Sequence, residues 1–280
     1  MTQHDLAAQF RRLHTGSQTP LVLANAWDAM SARLVEAAGA AAIATTSAGV
    51  SWSLGYPDGH GVTRDLMVDA VRRIVQSVRI PVSADVESGY GSGTPEDVAE
   101  TATRMIEAGA VGINLEDSPG HGGEKLVDMA YQSARFASAR AAAGAADIDL
   151  FINARVDTYL KGVGDEGESR FEETVRRANA YVASGADCVF IPLVTDPVLI
   201  KRLVAAIAAP INLLVGPGSP PIDALRELGV ARVSVGPHLV RSVMAHIRKA
   251  AREVLSAGTY DALSAQLTSP EANGLFAPRP

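Results

Sequence analysis

Cysteine is almost missing from this 280-residue chain, which carries only Cys188. One thiol excludes a disulfide framework and any metal cluster built on thiolates. A concentrated basic segment is also missing. The 25 lysines and arginines are outnumbered by 31 acids, for a formal net charge of -6. Nothing in the chain gathers the positive charge that phosphate backbones need, so nucleic acid is not the expected partner. No apolar stretch approaches the ~20 residues of a bilayer span. The opening MTQHDLAAQFRRLHTG is polar and amphipathic and lacks the apolar core of a secretion signal. The expectation is a cytoplasmic protein with no membrane partner.

What is present is a periodic chain, 47% hydrophobic and 20% charged, as in a large globular domain. Eight short apolar runs recur: 21–27, 41–47, 80–87, 111–117, 149–157, 187–194, 210–216 and 231–237. They are nearly continuous rather than alternating, the pattern of parallel strands buried on both faces. Amphipathic segments such as RDLMVDAVRRIVQSV and FEETVRRANAYVASG separate them. Eight such alternations in a chain of this length predict a (β/α)8 TIM barrel. Gly39, Gly109, Gly185 and Gly229 each stand between a helical pattern and the next strand, where a left-handed residue stops the helix. Thr94-Pro95-Glu96-Asp97 reads as a capped helix start. The expected organisation is one barrel domain over residues 1–255, with residues 256–280 as an appendage.

The ends of the predicted strands carry acids. Asp85 and Glu87 close IPVSADVE, Glu116 and Asp117 close GINLED, and Asp58 lies in the loop GYPDGHG after the second strand. Strand ends of a barrel converge at its C-terminal mouth, where active sites lie. Converging carboxylates repel unless a cation sits among them, and a hard divalent ion of the magnesium type suits an all-oxygen set. Alternation predicts that Asp85 and Glu87 point the same way, as do Asn153, Arg155 and Asp157. Arg155 is suited to hold a substrate carboxylate bidentately, or else forms only a structural ion pair with Asp157. Asp117 reads better as a helix cap than as a ligand. Thr46, Ser47 and Gly49 offer hydroxyls and amides to an oxyanion, His60 and His121 sit in glycine-rich loops, and Cys188 reads as a small core residue.

The segments TTSAGVSWSLGYPD, SADVESGYG, INLEDS and INARVDTY, in that order and spacing, resemble the isocitrate lyase/phosphoenolpyruvate mutase superfamily. The resemblance implies Mg2+, with Mn2+ as a substitute. Asp85 would be the direct ligand, and Asp58, Glu87 and Glu116 would hold the metal's waters. It implies Arg155 on the substrate carboxylate, and Thr46, Ser47, Gly49 and Asn212 around the substrate. Asp58, Arg155 and His121 become the candidate catalytic residues. Relatives are tetramers, dimers of dimers that often exchange the eighth helix, so the eighth helix and the tail acquire an expected role between subunits.

The departures narrow the expectation. Pro119 stands where the lyase branch carries its cysteine, and Cys188 lies in the sixth strand. The acid expected after the sixth strand is replaced by Pro192 and Leu193, and only Asn212 remains of the polar set after the seventh. An ordinary isocitrate or methylisocitrate lyase is therefore not expected, and the mutase branch fits better. The expected activity is a C–C or P–C bond made or broken in a small 2-oxo or 2-hydroxy acid, phosphonopyruvate- or oxaloacetate-like, through an enolate-like intermediate. The alternative is a catalytically silent barrel that binds a metal or carboxylate or serves assembly. Lys125 is a further residue that can reach the site if the loop after the fourth strand closes.

Overall fold

Helix α1 (Gln3–Thr15) precedes the first strand, and the chain then alternates. The strands are β1 (Leu21–Leu23), β2 (Ile43–Ala44), β3 (Val82–Asp85), β4 (Gly112–Glu116), β5 (Phe151–Arg155), β6 (Cys188–Ile191), β7 (Ile211–Leu214) and β8 (Arg232–Ser234). Between β1 and β3 lie α2 (Ala29–Ala37), α3 (Ser47–Ser53) and α4 (Arg64–Ser77). After β3 to β8 come, in turn, α5 (Pro95–Glu107), α6 (Met129–Ala145), α7 (Glu168–Ala183), α8 (Pro197–Ala206), α9 (Ile222–Glu227) and α10 (His238–Arg252), followed by α11 (Ser269–Phe276). This is a computed structural model, and it describes residues 1–15, 20–59, 61–119, 125–165 and 167–277.

All strand pairs are parallel, in the order β1-β8-β7-β6-β5-β4-β3-β2. The ring closes through a bridge between Ala26 and Thr45, where the amide of Ala26 donates to Ala44 and that of Thr46 to Ala26. The (β/α)8 barrel expected from the sequence is the fold. Gly39, Gly109, Gly185 and Gly229 all take positive φ just past their helices. Thr94 caps α5, with Asp97 reciprocating and Pro95 in the first turn.

Two elements escaped the eight-fold pattern. Helix α3 inserts after β2, so Ser47 and Gly49 are helical rather than part of an open loop. Helix α1 sits across the N-terminal opening of the barrel. There Phe10 packs edge-on against Phe151, and Arg11 pairs with Asp149 and Asp187. A β-carbon on Gly112, the first residue of β4, would meet the Phe10 ring at 2.9 Å, so a side chain there would push α1 off the barrel.

His14 of α1 is buried, stacked on Phe151 at 3.9 Å between ring centres, with Nδ1 2.8 Å from the Phe10 carbonyl. Burial pushes its pKa down to about 3, helped by the charges of Arg232 and Arg11. The unfolded chain takes up a proton on this histidine near its ordinary value of 6.5, while the native state stays neutral. Native stability is therefore whole above that value and is lost as pH falls from there toward 3. Urea unfolding of wild type and His14→Gln at pH 7 and pH 4 checks this. The wild type should lose roughly 2–3 kcal/mol more than the variant over that interval. Equal losses would contradict it.

The chain beyond α10 continues in a wide π-helical turn over Glu253–Ala257, ended by Gly258 at φ 69°. The Glu253 carboxylate accepts from Thr259, Asp261 and Ala262. Helix α11, capped by Thr268 and Glu271, returns to α2, where Arg33 donates to the Leu275 carbonyl at 2.6 Å. The tail thus has a docking place on its own chain. Among the described residues, no helix is long and apolar enough to cross a membrane.

Candidate active site

Asp85, Glu116 and Arg155 are the last residues of three adjacent strands, and all three face a cavity of about 510 Å³ at the C-terminal mouth. Asp85 is the most firmly held. Its Oδ2 accepts from the Ser47 amide (2.9 Å) and hydroxyl (2.7 Å), and its Oδ1 accepts from Asn114 Nδ2 (3.0 Å). Asn153 Nδ2 in turn donates to Asn114 Oδ1 (2.8 Å), which leaves the Asn114 amide a single orientation. Insertion of α3 is what brings Ser47 to this carboxylate.

Arg155 is bracketed by acids. Nη1 lies 2.7 Å from Glu116 Oε2 and Nε lies 2.7 Å from Asp157 Oδ1, whose other oxygen accepts from Ser118 (2.5 Å). Burial pushes the Glu116 carboxyl up to about 8; Arg155 opposes that rise, while the charges of Asp157, Asp85 and Glu87 add to it. The ion pair between Arg155 and Asp157, the structural alternative for this arginine, is present, and Arg155 also faces the cavity.

Glu87 reaches the cavity by a different route from the one alternation predicts. The strand ends at Asp85, and Glu87 takes φ 50°, a left-handed turn that swings its side chain to the same wall. The Glu116 amide donates to the Glu87 carbonyl at 2.9 Å and pins that turn. The segment after it is tied down rather than loose. Asp97 accepts from the Ser92 amide, and Thr101 donates to the Gly89 carbonyl. Asp58 lies at the rim and lines the same cavity, its pKa raised by partial burial and then by the charge of Asp85.

A family model for phosphoenolpyruvate phosphomutase matches residues 10–255. The chain belongs to the phosphoenolpyruvate phosphomutase family. A solved structure from Burkholderia cenocepacia J2315, assigned no more closely than lyase or mutase, is 37% identical with a TM-score of 0.91 and covers 99% of this chain and 97% of its own. The 2-methylisocitrate lyase of Escherichia coli K12 is 31% identical over 243 residues, 84% of this chain and 78% of its own. Phosphonopyruvate hydrolase, solved with oxalate and Mg2+, is 25% identical with a TM-score of 0.84 over 98% of this chain and 95% of its own. The resemblance read from the strand-end motifs is thus shown, and with it membership of a superfamily of lyases and phosphomutases.

Against that phosphomutase-family background, the candidate residues separate. Thr46, Ser47, Asp58, Asp85, Glu87, Glu116, Arg155 and Asn212 all line the cavity. Gly49 does not. It is buried within α3, where a β-carbon would come within 2.8 Å of Thr46 Cγ2 and Trp27 Cβ, so it serves helix packing behind the wall. Asp117 is not a helix cap, since Asp128 caps α6. It is buried outside the ring, accepting from Tyr181 (2.9 Å), Arg177 (3.3 Å) and the Asp157 amide (2.9 Å), with burial pushing its pKa up to about 6. Lys125 donates to the Gly162 carbonyl, and Lys161 stands in the cavity wall instead. His60 and His121 lie outside the described residues. Cys188 is buried in β6 with its thiol pushed up to about 12, as a core residue should be. Sequence reasoning missed Arg232, which is buried yet also lines the cavity; its only sequence signal is a charge inside an otherwise apolar strand.

The all-oxygen set suits a hard divalent ion such as magnesium. One immobilised carboxylate, Asp85, has Asp58, Glu87 and Glu116 around the same cavity. Mg2+ is characteristically bound through one or two carboxylates and keeps several waters. Asp85 retains acceptor capacity beyond its three hydrogen bonds. Asp58, Asp85, Glu87 and Glu116 share this cavity with Arg155, Arg232 and Lys161; burial, and after it the neighbouring carboxylates, raise the pKa values of Glu116 and Asp58.

Proposed function

We propose that this chain is a Mg2+-dependent enzyme that makes or breaks a C–C or P–C bond in a small 2-oxo or 2-hydroxy carboxylic acid, phosphonopyruvate- or oxaloacetate-like. The observation that carries the reading is Asp85, fixed by Ser47 and Asn114 at the edge of a cavity that also gathers Asp58, Glu87, Glu116 and Arg155. A purely structural role gives no reason to gather Asp58, Asp85, Glu87 and Glu116 around one open cavity, because their mutual repulsion costs stability. The phosphonopyruvate hydrolase structure, which holds Mg2+ and oxalate, supports the choice of ion and of a small carboxylate.

In this reading Asp85 binds the metal directly, and Asp58, Glu87 and Glu116 hold its waters. Bound Mg2+ would supply Lewis-acid stabilisation of negative charge developing on the substrate's 2-oxygen. Arg155 orients the carboxylate, its guanidinium already held on two edges by Glu116 and Asp157. Thr46 and Asn212 complete the wall, and His121, two residues after Pro119, is the candidate proton carrier. Phosphorus and proton NMR of the protein with Mg2+ and a panel of phosphonopyruvate, oxaloacetate and substituted malates tests the reading. Phosphoenolpyruvate or phosphate appearing from phosphonopyruvate supports P–C chemistry, and cleavage of oxaloacetate or a malate supports C–C chemistry. Silence across the panel would overturn the reading in favour of a silent barrel.

The same proposal includes a homo-oligomer. Helix α10 buries only Val240 and Ala250 along its length, while Met244 and Ile247 are 47% and 60% exposed and Leu255 beyond it is 85% exposed. A second copy covering this apolar face is the occupant that the superfamily resemblance implies. Light scattering should show the wild type as a dimer or tetramer and the Met244→Glu/Ile247→Glu double variant as a smaller species. A wild type that stays monomeric at tens of micromolar would contradict it.

A further inference from the structure

Bond cleavage in the acids proposed above leaves its electron pair on one carbon. Loss of CO2 from oxaloacetate, loss of phosphorus from phosphonopyruvate and cleavage between C2 and C3 of a malate all leave the pair on C3. A proton must then reach that carbon, whereas a transfer of phosphorus back to the enolate oxygen needs none. His121 stays the candidate at the hydroxyl of a 2-hydroxy acid, so C3 needs a source of its own.

Most of the cavity wall cannot supply it. The Ser47 hydroxyl is committed to Asp85, and the Ser118 hydroxyl to Asp157 at 2.5 Å. Arg155 and Arg232 line the cavity, but a guanidinium does not release its proton. Asp58 and Glu116 are given to the metal's waters. Pro119 lines the same cavity and carries no ionisable group. Lys161 is left among the described residues that form this wall.

Lys161 is exposed, yet the backbone that carries it is fixed. It stands six residues past Arg155, in a turn where its amide donates to the Asp157 carbonyl at 2.8 Å and the Val163 amide to the Thr158 carbonyl at 2.9 Å. Gly162 follows at φ 57°, and its carbonyl accepts from Lys125 Nζ at 2.9 Å. Arg170 of α7 donates to the Val163 and Gly164 carbonyls, and Thr158 bonds Thr174 of the same helix at 2.6 Å. The turn is thus anchored from two sides, and the loop lysine Lys125 is used in anchoring it. The Lys161 ammonium has no side-chain or carbonyl partner among the described residues.

We propose that Lys161 is the general acid that delivers the proton to C3. The C–H bond forms from the enolate's electron pair as an Nζ–H bond breaks, and the nitrogen keeps the pair of that bond. The neutral amine then takes a proton back from solvent, which its exposure allows. An ordinary lysine ammonium, near ~10.4, is a far stronger acid than the carbon acid it forms, so the transfer runs downhill. The assignment rests on the proposed function and deepens it, since it favours cleavage with protonation over rearrangement.

Proton NMR of 2-oxobutanoate in D2O with Mg2+ tests this, with exchange in protein-free Mg2+ subtracted. Wild type should exchange one of the two C3 hydrogens in preference to the other, because a proton held on one wall reaches one face of the enolate. Lys161→Met and Lys161→Arg should both slow that exchange by about 10²-fold or more, since arginine keeps the charge but not the transferable proton. Both variants should bind oxalate with Mg2+ as tightly as wild type does, which a misfolded site would not. Exchange that survives in either variant would overturn the role, and so would loss of oxalate binding together with exchange. Turnover of a panel substrate without exchange in wild type would keep the proposed function and refute Lys161 as the acid. Neither turnover nor exchange in wild type would overturn both.

Discussion

Asp85→Asn should lose turnover by about 10³-fold or more while remaining folded, because it removes the charge around which the site is organised. The substitution is nearly isosteric, and its carbonyl can still accept from the Ser47 amide and hydroxyl. Its new amide must then face Asn114 Nδ2, and Asn114 cannot turn to accept because Asn153 holds its oxygen. One buried donor pair is left opposed, at a cost of about 1–3 kcal/mol. That cost separates the variant from Asp85→Ala, which would also strip the Ser47 amide of its acceptor. In wild type, Mg2+ at a hundred times its dissociation constant should add about 2.7 kcal/mol to native stability, and the variant should show no such gain. Thermal melts with and without Mg2+, beside turnover on whichever panel substrate reacts, check both. Near-wild-type turnover in the variant would contradict the assignment.

Arg155→Lys should lower kcat/KM by about 10²-fold, chiefly through KM, since a lysine keeps the charge but cannot fork between Glu116, Asp157 and a substrate carboxylate. Arg155→Ala should go further and cost about 3–5 kcal/mol of stability, because it leaves buried carboxylates without their cation. Asp157 is fully buried and, among the described residues, keeps Ser118 as its side-chain donor, while Glu116 loses its ion pair. Initial-rate kinetics and urea unfolding read the two effects apart. A lysine variant with unchanged KM would show that Arg155 does not bind the substrate and serves only the ion-pair network.

The barrel was legible because its strands are buried on both faces and its helices stop on glycine, and both features are written locally. The acids at the ends of β3 and β4 were legible for the same reason, since a strand end in a barrel has one place to go. Helix α3 was not, because seven residues of small and polar type give no amphipathic period. Missing it misassigned Gly49, which looked like an exposed oxyanion cradle and is a packing position. Glu87 reached the expected wall by a left-handed turn, which no alternation rule contains. Asp117 looked like a cap because its partners, Tyr181 and Arg177, are some sixty residues away in sequence. Arg232 was passed over because a charge within an apolar run gives no hint of which way it points.

The most direct test of the metal centre is electron paramagnetic resonance of Mn2+, used as a substitute for Mg2+, titrated with wild type and with Asp85→Asn. The account predicts one Mn2+ site per chain in the wild type, displaced by Mg2+ and absent from the variant. Equal binding by both proteins, or none by the wild type, would contradict it.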